Sequence, residues 1–235
     1  MLKVALTAVV AAVAALLVDS AVAQQAFNNA PKLSVPGGGG VERLGDAMVI
    51  NGRPVTIDHI VIPLPAADVV HHYRKALDEK SSGKIVEYRL KGDRILGRRI
   101  GEHFVTVRVQ TARNGTSEAW VMTTVVQPPA AADAALPSHL ALPAGSRLLS
   151  NVETVDGGRR AYTVIATADA AMSATQDFVK RNLSDRGFSL VASDGSSVDP
   201  SRRVMLFQRG TEDVMVTIAD GPKGRTLVFN ASGPK

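Results

Sequence analysis

The chain has 235 residues, no cysteine, 45% hydrophobic residues, only 4% aromatic residues and a formal charge of +5 at pH 7. This composition excludes a wholly disordered chain and predicts one large or two small domains with an aliphatic core. It excludes disulfide bonds and a cysteine nucleophile, and it lacks the clustered basic and aromatic residues typical of nucleic-acid binding.

Residues 1–23 have the pattern of a secretory signal peptide. A positively charged start precedes an apolar run from Val4 to Val18, and Ala-Val-Ala at 21–23 matches a cleavage site. Asp19 ends this run below the roughly 18 residues that a membrane span needs, so we favour a cleaved signal over a retained anchor. Because exported proteins without disulfides are typical of the bacterial envelope, we expect a periplasmic or secreted protein that is soluble after cleavage.

Two segments of low complexity divide the rest of the chain. Residues 24–40 end in four glycines and predict a flexible linker, and the Ala- and Pro-rich residues 128–144 predict a second one. They bracket residues 41–127 and residues 145–232, which are similar in length. We expect each of these two stretches to form a small domain with its own core.

The first stretch has the pattern of two strands, one helix and four further strands. Asn51-Gly52 stands between two apolar runs, which is a strong signal for a β-hairpin. Apolar residues at helical spacing follow Pro65 and predict one buried helix face: Val69, Val70, Tyr73, Ala76 and Leu77. Four strand-like runs come next, and they begin near Lys84, Arg94, His103 and Ser117.

The second stretch repeats this order. The segment from Arg94 to Val109 aligns without a gap on the segment from Arg203 to Ile218, 109 positions later, and the turn residues Gly101 and Gly210 coincide. From this repeat we predict an α+β fold of two tandem, similar modules. Each module would be an antiparallel sheet of order β-β-α-β-β-β-β with one helix packed on a face.

Histidines are the first candidates for chemistry, and four of the five lie in the first stretch: His59, His71, His72 and His103. His71 and His72 point about 100° apart on a helix, so they do not readily share a metal ion. Neither a G-x-S-x-G nor an H-E-x-x-H motif is found. We therefore predict no enzymatic activity, no metal site and no cofactor. An envelope hydrolase with scattered residues is an alternative, and it requires His59, His72 and His103 to approach each other or a carboxylate.

Three arginine pairs are candidates for a basic stripe: Arg98-Arg99, Arg159-Arg160 and Arg202-Arg203. Neighbours on a strand point to opposite faces, so each pair offers one arginine to a given surface. Solvated faces and protected strand edges are the competing explanation. The candidate binding residues for an acidic protein or an anionic envelope polymer are Arg98, Arg99, Arg159 and Arg202.

Compartment and composition together favour a non-enzymatic bacterial envelope protein that binds another protein. An accessory role in secretion or surface assembly would be consistent with this prediction. Exposed sheet edges and the cleft between the modules are the two binding modes we expect. The alternative is a periplasmic binder or sensor of a small anionic ligand or envelope polymer. That alternative requires Arg98 or Arg99 to point into the groove between sheet and helix.

Overall fold

The structure is a computed structural model that describes residues 30–80, 84–112, 115–126, 136–194, 201–221 and 224–234. The predicted signal peptide lies outside the described residues, as do the first parts of both predicted linkers. The chain divides into two compact units, Met1–Ala47 with Arg53–Pro128 and Met48–Gly52 with Pro129–Lys235.

The elements before residue 130 are a 3-10 turn (Pro36–Gly38), β1 (Gly40–Arg43), β2 (Ala47–Ile50), β3 (Arg53–Ile62), α1 (Ala66–Lys80), β4 (Val86–Leu90), β5 (Asp93–Ile100), β6 (His103–Thr111) and β7 (Ser117–Val125). Those after it are β8 (Arg147–Asp156), β9 (Arg159–Ala168), α2 (Met172–Ser184), β10 (Ser189–Asp194), β11 (Arg202–Arg209), β12 (Glu212–Gly221) and β13 (Gly224–Pro234). Neither helix in the described ranges is long and apolar enough to cross a membrane.

The predicted fold of two tandem α+β modules was wrong. Strands make up 57% and helices 17% of the described residues, which hold two α-helices and a single 13-stranded sheet. Its strand order is β10-β11-β12-β13-β9-β8-β2-β3-β7-β6-β5-β4, and β1 pairs with β3 off this path. All the strand pairs whose register is described are antiparallel.

The hairpin turn after β2 is hydrogen-bonded to β8 within the second unit. The backbone N–H of Asn51 donates to the carbonyl of Asn151 at 2.8 Å, and the side-chain carbonyl of Asn51 accepts from the N–H of Asn151 at 2.8 Å. Backbone donors and acceptors that leave water need such partners, so β2 and β8 become neighbours in the ladder. A repeat in the sequence does not exclude this pairing between distant strands.

Helix α1 packs on one face of the strands of the first unit. Its predicted apolar face is confirmed, because the five residues named for it are all buried. The carbonyl of Pro65 accepts the N–H of Asp68 at 3.0 Å and that of Val69 at 3.2 Å, which starts the first turn. The apolar face lies against a buried aliphatic row of β6, Val105, Val107 and Val109.

Part of the predicted flexible linker, residues 24–40, packs on the core of the first unit. Leu33 and Val35 contact the core, and Pro36 is buried. Gly40 begins β1 and is the register partner of Val61. Residues 33–40 are therefore held by packing and strand pairing, whereas residues 24–29 lie outside the described residues.

The second unit has its own core beneath helix α2. The helix buries Thr175, Val179 and Leu183 on one face. The sheet side of this core is made mainly of large side chains: Met205, Phe207, Val214, Val216, Ile218, Leu227 and Phe229. Leu136, Leu140 and Leu142 from the predicted linker 128–144 also pack against it.

The gap-free sequence match is confirmed for one hairpin in each unit. Arg94 is the register partner of Val109 in β5–β6, and Arg203 is the register partner of Ile218 in β11–β12. The turn glycines Gly101 and Gly210 have φ of 58° and 59°, a left-handed conformation that favours glycine. The likeness therefore applies to these hairpins and does not produce two separate sheets.

Candidate interaction surface

Strand β4 ends the described strand order and is exposed along its whole length. It pairs with β5 through five consecutive antiparallel pairs, from Val86 with Gly97 to Leu90 with Asp93, and no register shift interrupts them. The other side of its backbone faces away from this ladder. Outward N–H and C=O groups of a regular edge strand are a template for a further strand.

Three large apolar side chains stand on one face of this edge. Val86, Tyr88 and Leu90 are 56%, 52% and 50% exposed. They share a face because alternate residues of a strand point to the same side. Tyr88 is the register partner of Ile95, whereas the next residue, Leu96, points to the opposite face and is buried in the core beneath α1. The apolar row of β4 therefore lies on the open face of the sheet, away from the helix.

Charged residues alternate with this row on the helix side. Glu87 accepts a hydrogen bond from Arg74 of α1 at 2.7 Å and a second one from Arg94 of β5. Arg89 is the register partner of Arg94, is exposed, and has no ion-pair partner in the part of the chain that the structure describes. The edge therefore combines an apolar open face with excess positive charge on its other face.

The edge strand β10 of the second unit is less regular. Its six residues are also exposed, including Leu190 and Val191. The register with β11 shifts between Leu190 and Ala192. A bulge of this kind bends a strand and interrupts its backbone pattern, which is one way in which proteins protect an edge. β4 is therefore the better template of the two.

A row of polar and aromatic side chains crosses the open face of the first unit. His59 of β3 and Arg108 of β6 are both register partners of Trp120 in β7. The His59 ring stacks on the indole with centroids 5.1 Å apart, and the guanidinium carbon of Arg108 lies 5.2 Å from the indole centroid. Asp93 accepts from Arg108 Nε at 2.6 Å. These contacts make Trp120 part of the structure of this face.

The three histidines that the hydrolase alternative requires do not converge. His59 and His72 lie on opposite sides of the sheet, since His72 belongs to α1 and its Nε2 lies 3.0 Å from the carbonyl of Ser34. His103 is the register partner of Val125, five residues along β7 from the partner of His59, a separation of roughly 17 Å.

Among the described residues, His59 is the member of this set that meets carboxylates. Its Nε2 lies 3.2 Å from Glu118 Oε2, and its Nδ1 lies 3.9 Å from Glu42 Oε2. Within the described ranges, no group of three or more His, Asp or Glu residues has the geometry to hold a metal ion. Of these two carboxylates, Glu118 is within hydrogen-bond distance, so the imidazole is bonded to Glu118 and stacked on Trp120.

Of the four candidate arginines, Arg98 points into the interface between sheet and helix. Its side chain is only 3% exposed and donates to the carboxylate of Asp78 in α1. Arg99 points to the other face, is exposed, and donates from Nε to the carbonyl of Gly101 at 2.9 Å. The groove thus contains an arginine, as the small-ligand alternative requires, but this arginine is already paired with an anion.

Arg159 and Arg202 belong to the second unit and stand at the first positions of β9 and β11. Both are exposed, and Arg159 Nη2 lies 3.4 Å from Ser232 Oγ. Three strand spacings, roughly 14 Å, separate β9 from β11 in the sheet. These two arginines therefore do not meet at one binding point.

A cavity of about 200 Å³ lies in the second unit, between the 137–139 segment and the ends of β9, β12 and β13. Its polar lining includes His139, Arg160, Tyr162 and Glu212. Arg160 Nε lies 3.3 Å from Glu153, and Glu212 lies 2.6 Å from Arg209. Because Arg160 already faces Glu153 and the lining also contains the carboxylates of Glu212 and Asp213, the cavity does not favour an anionic ligand. Its volume is also below the roughly 300 Å³ at which typical ligand sites begin.

Burial perturbs two titratable groups at this cavity. It lowers the pKa of His139, an effect that Glu212 opposes and that Arg209 and Arg186 reinforce. It also raises the pKa of Tyr162, in the same direction as the nearby Glu153. At neutral pH the cavity therefore presents an uncharged imidazole and an uncharged phenol.

Sequence patterns did not single out Val86, Tyr88 and Leu90. Their alternation with Glu87 and Arg89 is typical of a half-buried strand, whose apolar side chains would be assigned to the core. Comparison of the chain with protein-family models, with curated proteins and with solved structures found no match. The regular, apolar edge of β4 is the feature of the described residues that best fits an interaction site.

Proposed function

We propose that the chain is a non-enzymatic protein-interaction module of the bacterial cell envelope that accepts an extended strand from a protein partner at β4. The observation that carries this proposal is the exposed and regular edge of β4 with its apolar row Val86, Tyr88 and Leu90. In strand addition, backbone hydrogen bonds provide affinity and alternate side chains provide specificity.

The two faces of β4 define the chemistry of the partner strand. Apolar side chains at every second position would cover the apolar row on the open face. Acidic side chains between them would face Arg89, whose charge has no ion-pair partner among the described residues. Opposite charges across neighbouring strands stabilise the pair, and like charges destabilise it. An alternating apolar and acidic strand is therefore the expected ligand.

The cell envelope is part of the proposal because of the signal-peptide pattern in residues 1–23 and the lack of cysteine. The positive net charge of the chain favours acidic partners in that compartment. An accessory role in secretion or surface assembly fits a module that binds strands. Binding of a small anion is less well supported, since Arg98 and Arg160 already face the carboxylates of Asp78 and Glu153.

A nine-residue peptide of alternating valine and glutamate tests this proposal. We expect peptide-induced changes in backbone amide NMR shifts to concentrate in β4 and β5. The triple variant Val86→Thr, Tyr88→Thr, Leu90→Thr retains residues suited to strands but removes the apolar contacts, and it should bind roughly tenfold more weakly.

Val41→Thr is the matched control, because Val41 is 54% exposed on β1 of the same unit. It should bind the peptide as the unchanged chain does. If the triple variant and Val41→Thr bind equally well, or if the shifts fall outside β4 and β5, the site is not at β4.

A further inference from the structure

We infer that a second copy of this chain is a partner of β4, with the two β4 strands antiparallel and centred on Tyr88. This inference rests on the proposed function, since it requires the β4 edge to accept a strand. It adds the identity of the strand and its register. The sequence of β4 carries the inference, because it is complementary to itself in one register only.

A two-fold axis perpendicular to the sheet pairs the same strand of two copies antiparallel and leaves corresponding faces on the same side. With the axis at Tyr88, this residue stands opposite its own copy. Val86 then stands opposite Leu90 of the second copy, and Glu87 stands opposite Arg89 of the second copy. Each of these pairs occurs twice, once on either side of the axis.

On the open face, this register brings the two apolar rows together. Val86, Tyr88 and Leu90, each at least half exposed in the single chain, would meet their counterparts in one continuous apolar strip. Directly opposite side chains on antiparallel strands are close enough for aromatic and aliphatic contact. The register therefore covers the three exposed apolar residues of β4 at once.

On the helix side, the register supplies a charge partner for Arg89. This guanidinium stands opposite Arg94 within its own sheet, and Arg94 is already directed to Glu87. In the pair of copies, Arg89 comes beside Glu87 of the second copy. Two symmetric Glu87–Arg89 pairs then extend the charge network that already contains Arg74.

Neighbouring registers are disfavoured by the same residues. An axis at Glu87 puts the two Glu87 carboxylates opposite each other. An axis at Arg89 puts the two Arg89 guanidinium groups opposite each other. Like charges directly opposite destabilise a strand pair. A shift by a single residue sets Tyr88 against Glu87 and so mixes the apolar row with the charged row. The Tyr88 register is the one that matches both faces.

A ladder of five residues is short, so the dimer should be weak and reversible. Interfaces below about 1,000 Å² are typical of transient encounters. A covalent trap is therefore the suitable test, and the absence of cysteine from the chain allows a single introduced thiol to report on one position. Opposite residues on antiparallel strands have Cα atoms roughly 4.5 to 5.5 Å apart, within the range that a disulfide can bridge.

The experiment compares the disulfide-linked dimer formed by Tyr88→Cys with that formed by Leu90→Cys under mild oxidation. The two sites share a strand, a face and nearly the same exposure, 52% and 50%. In the Tyr88 register, however, residue 90 of one copy stands opposite residue 86 of the other. The two residues numbered 90 are then four positions apart along the strands, roughly 13 Å. We expect Tyr88→Cys to cross-link at least about tenfold faster.

Two further variants keep the test decisive. A mixture of Val86→Cys and Leu90→Cys chains should form the mixed disulfide faster than either chain links to itself. Adding Arg89→Glu to Tyr88→Cys should slow cross-linking, because the introduced carboxylate would stand opposite that of Glu87 in the second copy. Equal rates for Tyr88→Cys and Leu90→Cys, or no effect of Arg89→Glu, overturn the inference.

Peptide binding by the unchanged chain separates this inference from the proposed function. If Tyr88→Cys does not cross-link preferentially but the unchanged chain binds the valine and glutamate peptide at β4, self-pairing is overturned and strand addition stands. If the unchanged chain does not bind the peptide either, both are overturned.

Discussion

The guanidinium of Arg98 donates a hydrogen bond to the carboxylate of Asp78 where helix α1 packs on β5. The Arg98 side chain is 3% exposed, whereas that of Asp78 is 61% exposed. A buried cation therefore has its anionic partner at the protein surface. This pair joins the helix to the sheet. It also occupies the positive charge of Arg98, which would otherwise attract a bound anion.

Removal of the Asp78 carboxylate alone should lower the free energy of unfolding more than removal of both charges of the pair. We expect Asp78→Asn to lower the free energy of unfolding by about 1 to 2 kcal/mol, because the buried guanidinium loses its anion while solvent screens part of the loss. The double variant Asp78→Asn, Arg98→Met should recover part of this loss, since methionine fills a similar volume without a charge. Urea denaturation of the three chains measures both effects, and a double variant less stable than Asp78→Asn would contradict them.

Elements with strong local patterns were predictable from the sequence. The face of α1 follows from helical periodicity, and the likeness of the β5–β6 and β11–β12 hairpins follows from their gap-free sequence match. The contact between the turn after β2 and strand β8 was not predictable. It joins Asn51 and Asn151, which lie 100 positions apart, and no local sequence pattern links these two residues.

Tyr73 should make the stability of the chain depend on alkaline pH. Burial, and to a smaller extent the nearby Asp58, raises the pKa of Tyr73 from 10.0 to about 12. The folded state thus favours the neutral phenol. The stability that this preference contributes is complete below pH 10 and is lost as the pH rises from about 10 through 12. The loss should reach about 2 to 3 kcal/mol, and Tyr73→Phe should remove it.

At neutral pH the same variant should be at least as stable as the unchanged chain. The Tyr73 hydroxyl is buried and has no hydrogen-bond partner among the described residues. Removing an unsatisfied hydroxyl avoids its desolvation and should add up to about 1 kcal/mol. Chemical denaturation at pH 7 and at pH 11 checks both expectations, with about half of the full alkaline loss present at pH 11. A Tyr73→Phe chain that is clearly less stable at pH 7, or that retains the full alkaline loss, would contradict this account.

His139 should make the second unit sensitive to mild acid. Burial lowers the pKa of His139 below its ordinary value of 6.5, with Arg209 and Arg186 acting in the same direction and Glu212 opposing them. The folded state thus disfavours the protonated ring, so stability present above about pH 6.5 is lost as the pH falls through the folded pKa. NMR titration of the imidazole should give a midpoint below 6.5, and His139→Gln should reduce the acid loss. A midpoint at or above 6.5 would contradict the prediction.

The packing of residues 33–40 predicts different effects for two adjacent glycines. A Cβ on Gly39 would lie 2.7 Å from the Val61 carbonyl oxygen and 3.2 Å from side-chain atoms of Ile60 and Ile62, whereas one on Gly40 meets nothing within 4 Å. Gly39→Ala should cost about 1 to 3 kcal/mol through overpacking, and Gly40→Ala should be nearly neutral. Thermal unfolding compares them, and equal effects would indicate that this segment is not packed on the core.

The candidate site was only partly predictable. Alternation identified β4 as a strand, but alternation alone does not tell which face a helix covers or which strand ends a sheet. Arg98 illustrates this limit, because sequence spacing could not decide which member of the Arg98-Arg99 pair lies beneath α1. Tyr88 illustrates the same limit. An aromatic residue in an amphipathic strand is normally assigned to the core, whereas Tyr88 is exposed.

Hydrogen–deuterium exchange of the β4 amides, with and without the valine and glutamate peptide, tests the central claim most directly. Alternate N–H groups of an edge strand point outward and exchange readily until another strand binds them. We expect saturating peptide to slow exchange in β4 selectively, while exchange in β10 remains unchanged. Unchanged exchange in β4, or protection in β10 in its place, would contradict the assignment of β4 as the docking edge.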